Sequence, residues 1–122
     1  MFGLMRAVCR LERGRPGGAG FTARDALRMA TIEGAEVAGL AEVIGSPRTG
    51  KRADLGLLRT DLLSMSTVHD PVAAVVQAAD TRCADTVLVG GRVVKRDGRL
   101  VGHDVRAVLA DPREPAAAVT AA

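Results

Sequence analysis

Residues 84–102 read ADTVLVGGRVVKRDGRLVG, three short apolar runs separated by Gly90-Gly91 and Asp97-Gly98. A two-residue link of this kind is the turn of a tight β-hairpin, because both of its positions need the positive φ that Gly and Asp tolerate. Two such links in succession leave little choice but three antiparallel strands in a meander. The regular register puts Val87, Val94 and Val101 on one face. On the other, Leu88 faces Val93, with Leu100 one strand further over. Apolar residues on both faces predict a sheet covered on both sides, more than a free three-stranded sheet needs.

Upstream of the meander, residues 44–58 read IGSPRTGKRADLGLL, a basic loop punctuated by Gly and Pro that runs into a short apolar strand. Gly45, Gly50 and Lys51 match the spacing of a phosphate-binding loop, whose backbone N–H groups and Lys hold phosphate. Arg52 stands where the magnesium-binding hydroxyl belongs, and Pro47 withholds a backbone donor. Residues 53–58, with Leu55 and Leu57 on one face, read as a strand and not as the helix such a loop opens. A nucleotide site is therefore rejected, and Asp54 is expected to bridge the loop by hydrogen bonds.

The remaining elements are helical. In residues 1–13, Leu4, Val8 and Leu11 form one stripe with Phe2, Met5 and Cys9 beside it, and Arg6, Arg10 and Arg13 recur elsewhere. No Ser, Thr, Asp or Asn precedes the first turn, so this helix lacks an N-cap, as expected of a piece of something longer. Residues 14–20 read as a flexible connection. Thr22 and Asp25 form a capping box for one helix running to Gly39, with Leu27, Ala30, Gly34, Val37 and Ala38 inward. Gly39 ends it as a left-handed cap followed by Leu40, and Gly34 implies close approach of a neighbouring element. Asp70-Pro71 starts a further helix as N-cap and N1, with Val72, Val75, Val76 and Ala79 buried. Residues 59–67 show no clear period, 104–110 read as a short helical turn, and the Ala/Pro-rich tail from Pro112 as disordered.

Composition excludes several classes. The apolar fraction is 48% but aromatics are only 2%, so the core is aliphatic. The net charge of +3 comes from scattered arginines, without the basic stripe or stacking aromatics of a nucleic-acid binder. Cys9 and Cys83 stand far apart and read as reduced and buried. No apolar run is long enough to span a bilayer, and no secretory signal is visible, so a cytoplasmic protein is expected.

Taken together, TARDALRMATIEGAEVAGL at 22–40, IGSPRTGKRADL at 44–55, VHDPVAAVV at 68–76 and DTVLVGGRVVKRDGRL at 85–100 occur in an order and spacing that resembles the C-terminal end of the metal-dependent amidohydrolase superfamily. The likeness is to its aminohydrolases and deaminases of purine-, pyrimidine- and triazine-like rings. The resemblance implies a mixed α/β chain that is a partial fold. Residues 1–43 would be the C-terminal helices of a (β/α)₈ barrel. Residues 44–103 would be the C-terminal share of its small β-sandwich with one inserted helix, and 104–122 a helical turn and tail. It also implies a zinc or iron ion, held by an H-x-H pair, two further histidines and an aspartate, which acidifies a water for attack on the ring carbon. All of those ligands would lie before Met1. No catalytic, cofactor-binding or metal residue is carried over, and no cofactor is expected to be bound by this chain itself.

The residues themselves offer only weak candidates. His69 beside Asp70 and His103 beside Asp104 fall short of the three or four converging ligands a metal needs. Ser64 or Ser66 near His69 lacks the elbow of a nucleophilic serine. Lys51 and Arg52 read as solvated loop charges. The function expected is that of the C-terminal fragment of a hydrolase of non-peptide carbon–nitrogen bonds, inactive alone. Its partner would be the missing barrel portion or a chain covering the sheet, with a homo-oligomer possible and neither nucleic acid nor membrane involved. The alternatives are a stand-alone interaction module reusing the sandwich, and a relic without function.

Overall fold

The computed structural model describes residues 1–65 and 69–110. The chain is mixed helix and sheet. Helix α1 (Phe2–Gly14) is followed by α2 (Ala23–Met29), α3 (Ile32–Val37), strand β1 (Leu55–Leu58), α4 (Pro71–Gln77), β2 (Ala84–Val89), β3 (Arg92–Arg96), β4 (Arg99–Leu100) and α5 (Val105–Ala110). Single 3₁₀ turns occupy Gly18–Gly20, inside the segment expected to be a flexible link, and Leu63–Met65. Of the expected tail, residues 111–122 lie outside the described residues, as do Ser66 and Val68.

Helix α1 buries Met5 and Cys9, with Phe2 packed beside them. The neighbouring stripe stays outside, with Leu4 and Leu11 72% and 70% exposed. Both stripes are apolar, so hydrophobic period alone does not choose between them. The choice is made by α2 and α4, which pack against α1 and against each other. Met5, Cys9, Ala26 and Val76 form the resulting cluster, with Phe21, Leu27 and Val75 around it. Small Ala26 lets the helices approach closely. Val76 is fully buried and contributes about 1.5–3 kcal/mol on burial. Arg6 reaches across from α1 and donates from Nη2 to the Ala79 carbonyl at 2.9 Å, placing a cation at the C-terminal end of α4.

The single helix expected from Thr22 to Gly39 is two. The capping box is present: Thr22 Oγ1 accepts from the Asp25 amide, and Asp25 Oδ2 accepts from the Thr22 amide at 2.8 Å. The break comes at Thr31, whose hydroxyl donates to the Leu27 carbonyl at 2.7 Å and whose backbone leaves the helical region. A hydroxyl that serves the preceding turn competes with the helix ladder. The break rotates α3, so Ala35 is buried while Val37 is 93% exposed and Gly34 and Ala38 face solvent, against the inward stripe expected. The close approach at Gly34 comes from the end of α2: a Cβ there would stand 3.0 Å from the Met29 carbonyl. The C-terminus is as expected. Gly39 has a φ of 69°, its amide donates to the Glu36 carbonyl, and the Leu40 amide donates to the Ala35 carbonyl at 2.8 Å, a Schellman pair.

The sheet is fully antiparallel in the order β1-β2-β3-β4. Both hairpin links are mirror-image turns, with positive φ at Gly90, Gly91, Asp97 and Gly98. Leu88 opposes Val93 as expected, but Val87 opposes Lys95, because Val94 is an extra residue in β3. The bulge undoes the expected alignment of Val87 with Val94. It also moves Leu100, which pairs with Lys95, off the face of Leu88 and onto that of Val87. In β1, Leu55 and Leu57 lie on one face but are exposed, and it is Leu58 that reaches the core. There it meets a second cluster of Met65, Ala79 and Cys83.

Candidate functional site

The basic loop after α3 is held from within. The Lys51 ammonium donates to the carbonyls of Ala41 and Ile44, and the Arg52 amide donates to the Val43 carbonyl at 2.8 Å. Gly45, at a φ of 86°, lies so close to α3 that a Cβ would stand 2.8 Å from that of Ala35 and 3.0 Å from Ile32 Cα. At its far end the loop joins the sheet, where Asp54 Oδ1 accepts from the Gly90 amide and the Gly91 amide donates to the Ala53 carbonyl at 3.0 Å. Asp54 thus bridges from the loop to the β2–β3 turn. The loop enters a strand, and Lys51 satisfies carbonyl oxygens in place of a phosphate. A depression of about 530 Å³ beside it brings together Glu36, Glu42, Arg48 and Lys51, a mixture of signs without a preferred ligand charge.

The two His-Asp pairs have one physical explanation. Asp70 Oδ1 accepts from the Val72 and Ala73 amides at 2.8 and 3.3 Å, and Asp104 Oδ1 accepts from the Arg106 and Ala107 amides at 2.9 and 3.3 Å. Each acid is therefore a helix cap, committed to backbone donors and not to the neighbouring imidazole. His69 and His103 are exposed. Ser64 and His69 do line one shallow depression of about 330 Å³ with Met65, Ala73 and Gln77. With Asp70 engaged as a cap, no side chain among the described residues there orients the imidazole as a base. Among the described residues no three His, Cys, Asp or Glu side chains converge as a metal site. The described residues therefore do not fit the zinc or iron ion that the family resemblance implies.

The cysteines are free and buried, as expected. Cys9 Sγ accepts from Gln77 Nε2 at 3.2 Å and Cys83 Sγ from the Asp80 amide at 3.4 Å. Among the acids, Asp80 is the most perturbed. Hydrogen bonds from the Arg82 side chain, then from its amide, hold the carboxyl down at about 2. Asp61 is lowered in the same way by the Arg59 side chain, and Asp25 by Thr22. All three are surface structural pairs.

What sequence reasoning missed is a groove between α1 and α2. Met1, Leu4, Met5, Val8, Ala26, Met29 and Ala30 line a cleft of about 490 Å³ without a charged side chain. Its signal was present in the sequence as the stripe of α1 that carries Leu4 and Val8. No helix among the described residues is long and apolar enough to cross a membrane.

A model of the amidohydrolase family matches residues 1–94. The chain belongs to the amidohydrolase family. It is 39% identical over 116 residues to an 8-oxoguanine deaminase from Pseudomonas aeruginosa, covering 95% of this chain and 25% of that protein. It is 37% identical over 89 residues to a 5-methylthioadenosine/S-adenosylhomocysteine deaminase from Acetivibrio thermocellus, covering 73% and 21%. Among solved structures, a zinc-bound adenosine deaminase from Xanthomonas campestris superposes on all of this chain with a TM-score of 0.86, at 25% identity over 28% of its own length. The zinc complex of atrazine chlorohydrolase TrzN from Arthrobacter aurescens TC1 superposes on 93% of it with a TM-score of 0.78, at 27% identity over 26% of its length. This amidohydrolase chain therefore spans about a quarter of the length of the relatives it matches.

Proposed function

We propose that this chain is the C-terminal part of a metal-dependent hydrolase of non-peptide carbon–nitrogen bonds, its reaction the deamination of a nitrogen heterocycle. The observation that carries the reading is the match to a heterocycle deaminase across 95% of the chain. Zinc or iron would be held by residues outside the segment, since the described residues here offer no converging ligand set. When bound, such an ion acidifies a water for attack on carbon. The part this chain plays is structural. Residues 1–43 act as closing helices of the barrel and residues 44–103 as a share of the small sandwich, joined through Asp54 and Lys51. Two buried thiols without a disulfide suit a reducing cytoplasm.

The test compares ammonia release from aminopurines, aminopyrimidines and aminotriazines, with and without added zinc. One sample is the isolated chain, and the other is the polypeptide encoded when the reading frame is extended upstream of the Met1 codon. The isolated chain is expected to release no ammonia, and the extended one to release it in a zinc-dependent way. Zinc-dependent turnover by the isolated chain, or an upstream frame without the histidine motifs, overturns the reading.

A further inference from the structure

Arg96 and Arg99 are directly opposed across the β3–β4 link, a placement in which like charges repel and cost stability. The link is fixed by positive φ at Asp97 and Gly98, and the Gly98 amide donates to the Asp85 carbonyl at 3.0 Å. Arg106 stands in the first turn of α5. Arg99, His103 and Arg106 line a depression of about 500 Å³ together with Leu100, Asp104 and Val105. Elsewhere in the chain arginines have acids to hand, as Arg28 has Glu33 and Arg59 has Asp61. Here the acids are otherwise placed. Asp104 is committed to the Arg106 and Ala107 amides, and Asp97 occupies the turn, outside the lining of the depression. Among the described residues, the side chains of Arg96, Arg99 and Arg106 have no hydrogen bond or ion pair.

Such an arrangement calls for an anion from outside. A guanidinium presents its N–H donors in a planar fork that matches the oxygens of a phosphate, and the His103 imidazole adds a donor in either protonation state. A phosphate monoester carries a charge of about −1.5 to −2 at neutral pH, enough to answer two guanidinium groups at once. The walls are not all polar. Leu100 and Val105 are 50% and 46% exposed beside the cations and give an apolar body a surface to rest on. We propose that the depression between the β3–β4 hairpin and α5 binds a soluble organic phosphate monoester. Arg99 and Arg106 hold its phosphate, with Arg96 and His103 beside them, and its organic part lies against Leu100 and Val105. Along the sequence these arginines are scattered, and it is the turn at Val101 and Gly102 and the start of α5 that gather them. The hydrolase reading assigns these side chains no chemistry.

The experiment titrates the full chain calorimetrically with phenyl phosphate and with inorganic phosphate, and follows the thermal transition with and without each. Arg99→Gln, Arg106→Gln and, as a control for net charge, Arg24→Gln on the exposed side of α2 are made separately. The wild-type chain is expected to bind both probes saturably, phenyl phosphate the more tightly, and to melt higher in its presence. Arg99→Gln and Arg106→Gln should each weaken binding at least about tenfold, the loss of a charged hydrogen bond, while Arg24→Gln leaves it unchanged. Arg99→Gln separates binding from structure. It removes the repulsion from Arg96, so without ligand it should melt no lower than wild type, yet phenyl phosphate should no longer raise its transition. Absence of saturable binding overturns the proposal, and so does an equal loss in Arg24→Gln. Equal affinity for the two probes marks an adventitious ion only and overturns it too. Binding confined to phosphatidylcholine vesicles that contain phosphatidic acid would move the site to a membrane surface and overturn the soluble ligand.

Discussion

Single residues in this chain do their work through backbone geometry and local charge. Gly45 is required twice over, by its positive φ and by its contact with Ala35 and Ile32. Gly45→Ala is expected to cost about 1–3 kcal/mol, the range for a strained backbone position, with the loop displaced from α3; a urea melt that overlays wild type would refute this. Asp80 gives a second expectation. Its folded pKa of about 2 lies below the ordinary 3.8, so its contribution to stability is fully present above that ordinary value and is lost as pH falls through about 2. The partner is exposed Arg82, at 2.7 Å from Oδ2, so the effect is small. Arg82→Gln should lower the melting temperature near neutrality, and the deficit should shrink toward pH 2. A deficit constant between pH 7 and pH 2 would assign the loss to packing and not to charge.

At the scale of elements, what was legible in the sequence was whatever short-range chemistry decides. The Thr22–Asp25 box, the Gly39 terminus, the Asp70-Pro71 start and the two hairpin turns each need only a few adjacent residues, and all are present. What was not legible depends on neighbours. The inward face of α1 is chosen by α2 and α4, and the rotation of α3 by a Thr31 hydroxyl that a propensity reading counts as an ordinary helical residue. The bulge at Val94 is invisible to a period of two, although one extra residue is enough to change the face of Leu100. The candidate site suffered in the same way. His69-Asp70 and His103-Asp104 carry catalytic residue types, while the cleft between α1 and α2 is lined by Leu, Met, Val and Ala. The cap reading of Asp70 has its own test. Asp70→Ala should destabilise the chain by about 1 kcal/mol, and Asp70→Ser should recover most of it. Equal losses in both would mean that the carboxylate serves something other than the Val72 and Ala73 amides.

Across the whole molecule, helices pack chiefly on helices and strands on strands, and the buried residues other than Ala35, among those described, divide into two clusters. Helix α4 and the two residues after it serve both, giving Val75 and Val76 to one and Ala74, Ala78 and Ala79 to the other. Among the described residues around the two cores, Phe2 alone packs against both. Its ring is therefore the main apolar link between the helical layer and the Leu58–Cys83 end of the sheet. An aliphatic core this small leaves few alternatives for that link. Phe2→Ala is expected to cost about 3 kcal/mol, the lower end for a Phe truncation because the ring is only half-buried. Met5→Ala, deep in the first cluster only, should cost about 2–5 kcal/mol. The two variants differ in kind. Met5→Ala should lower the protection of all slowly exchanging amides together. Phe2→Ala should in addition let the amides of β2 and β3 exchange by an opening that leaves α1 and α4 protected, since the link and not either cluster has been cut. Native-state hydrogen exchange resolves the two patterns, and a Phe2→Ala profile parallel to that of Met5→Ala would show that the layers are coupled by the α4 backbone instead.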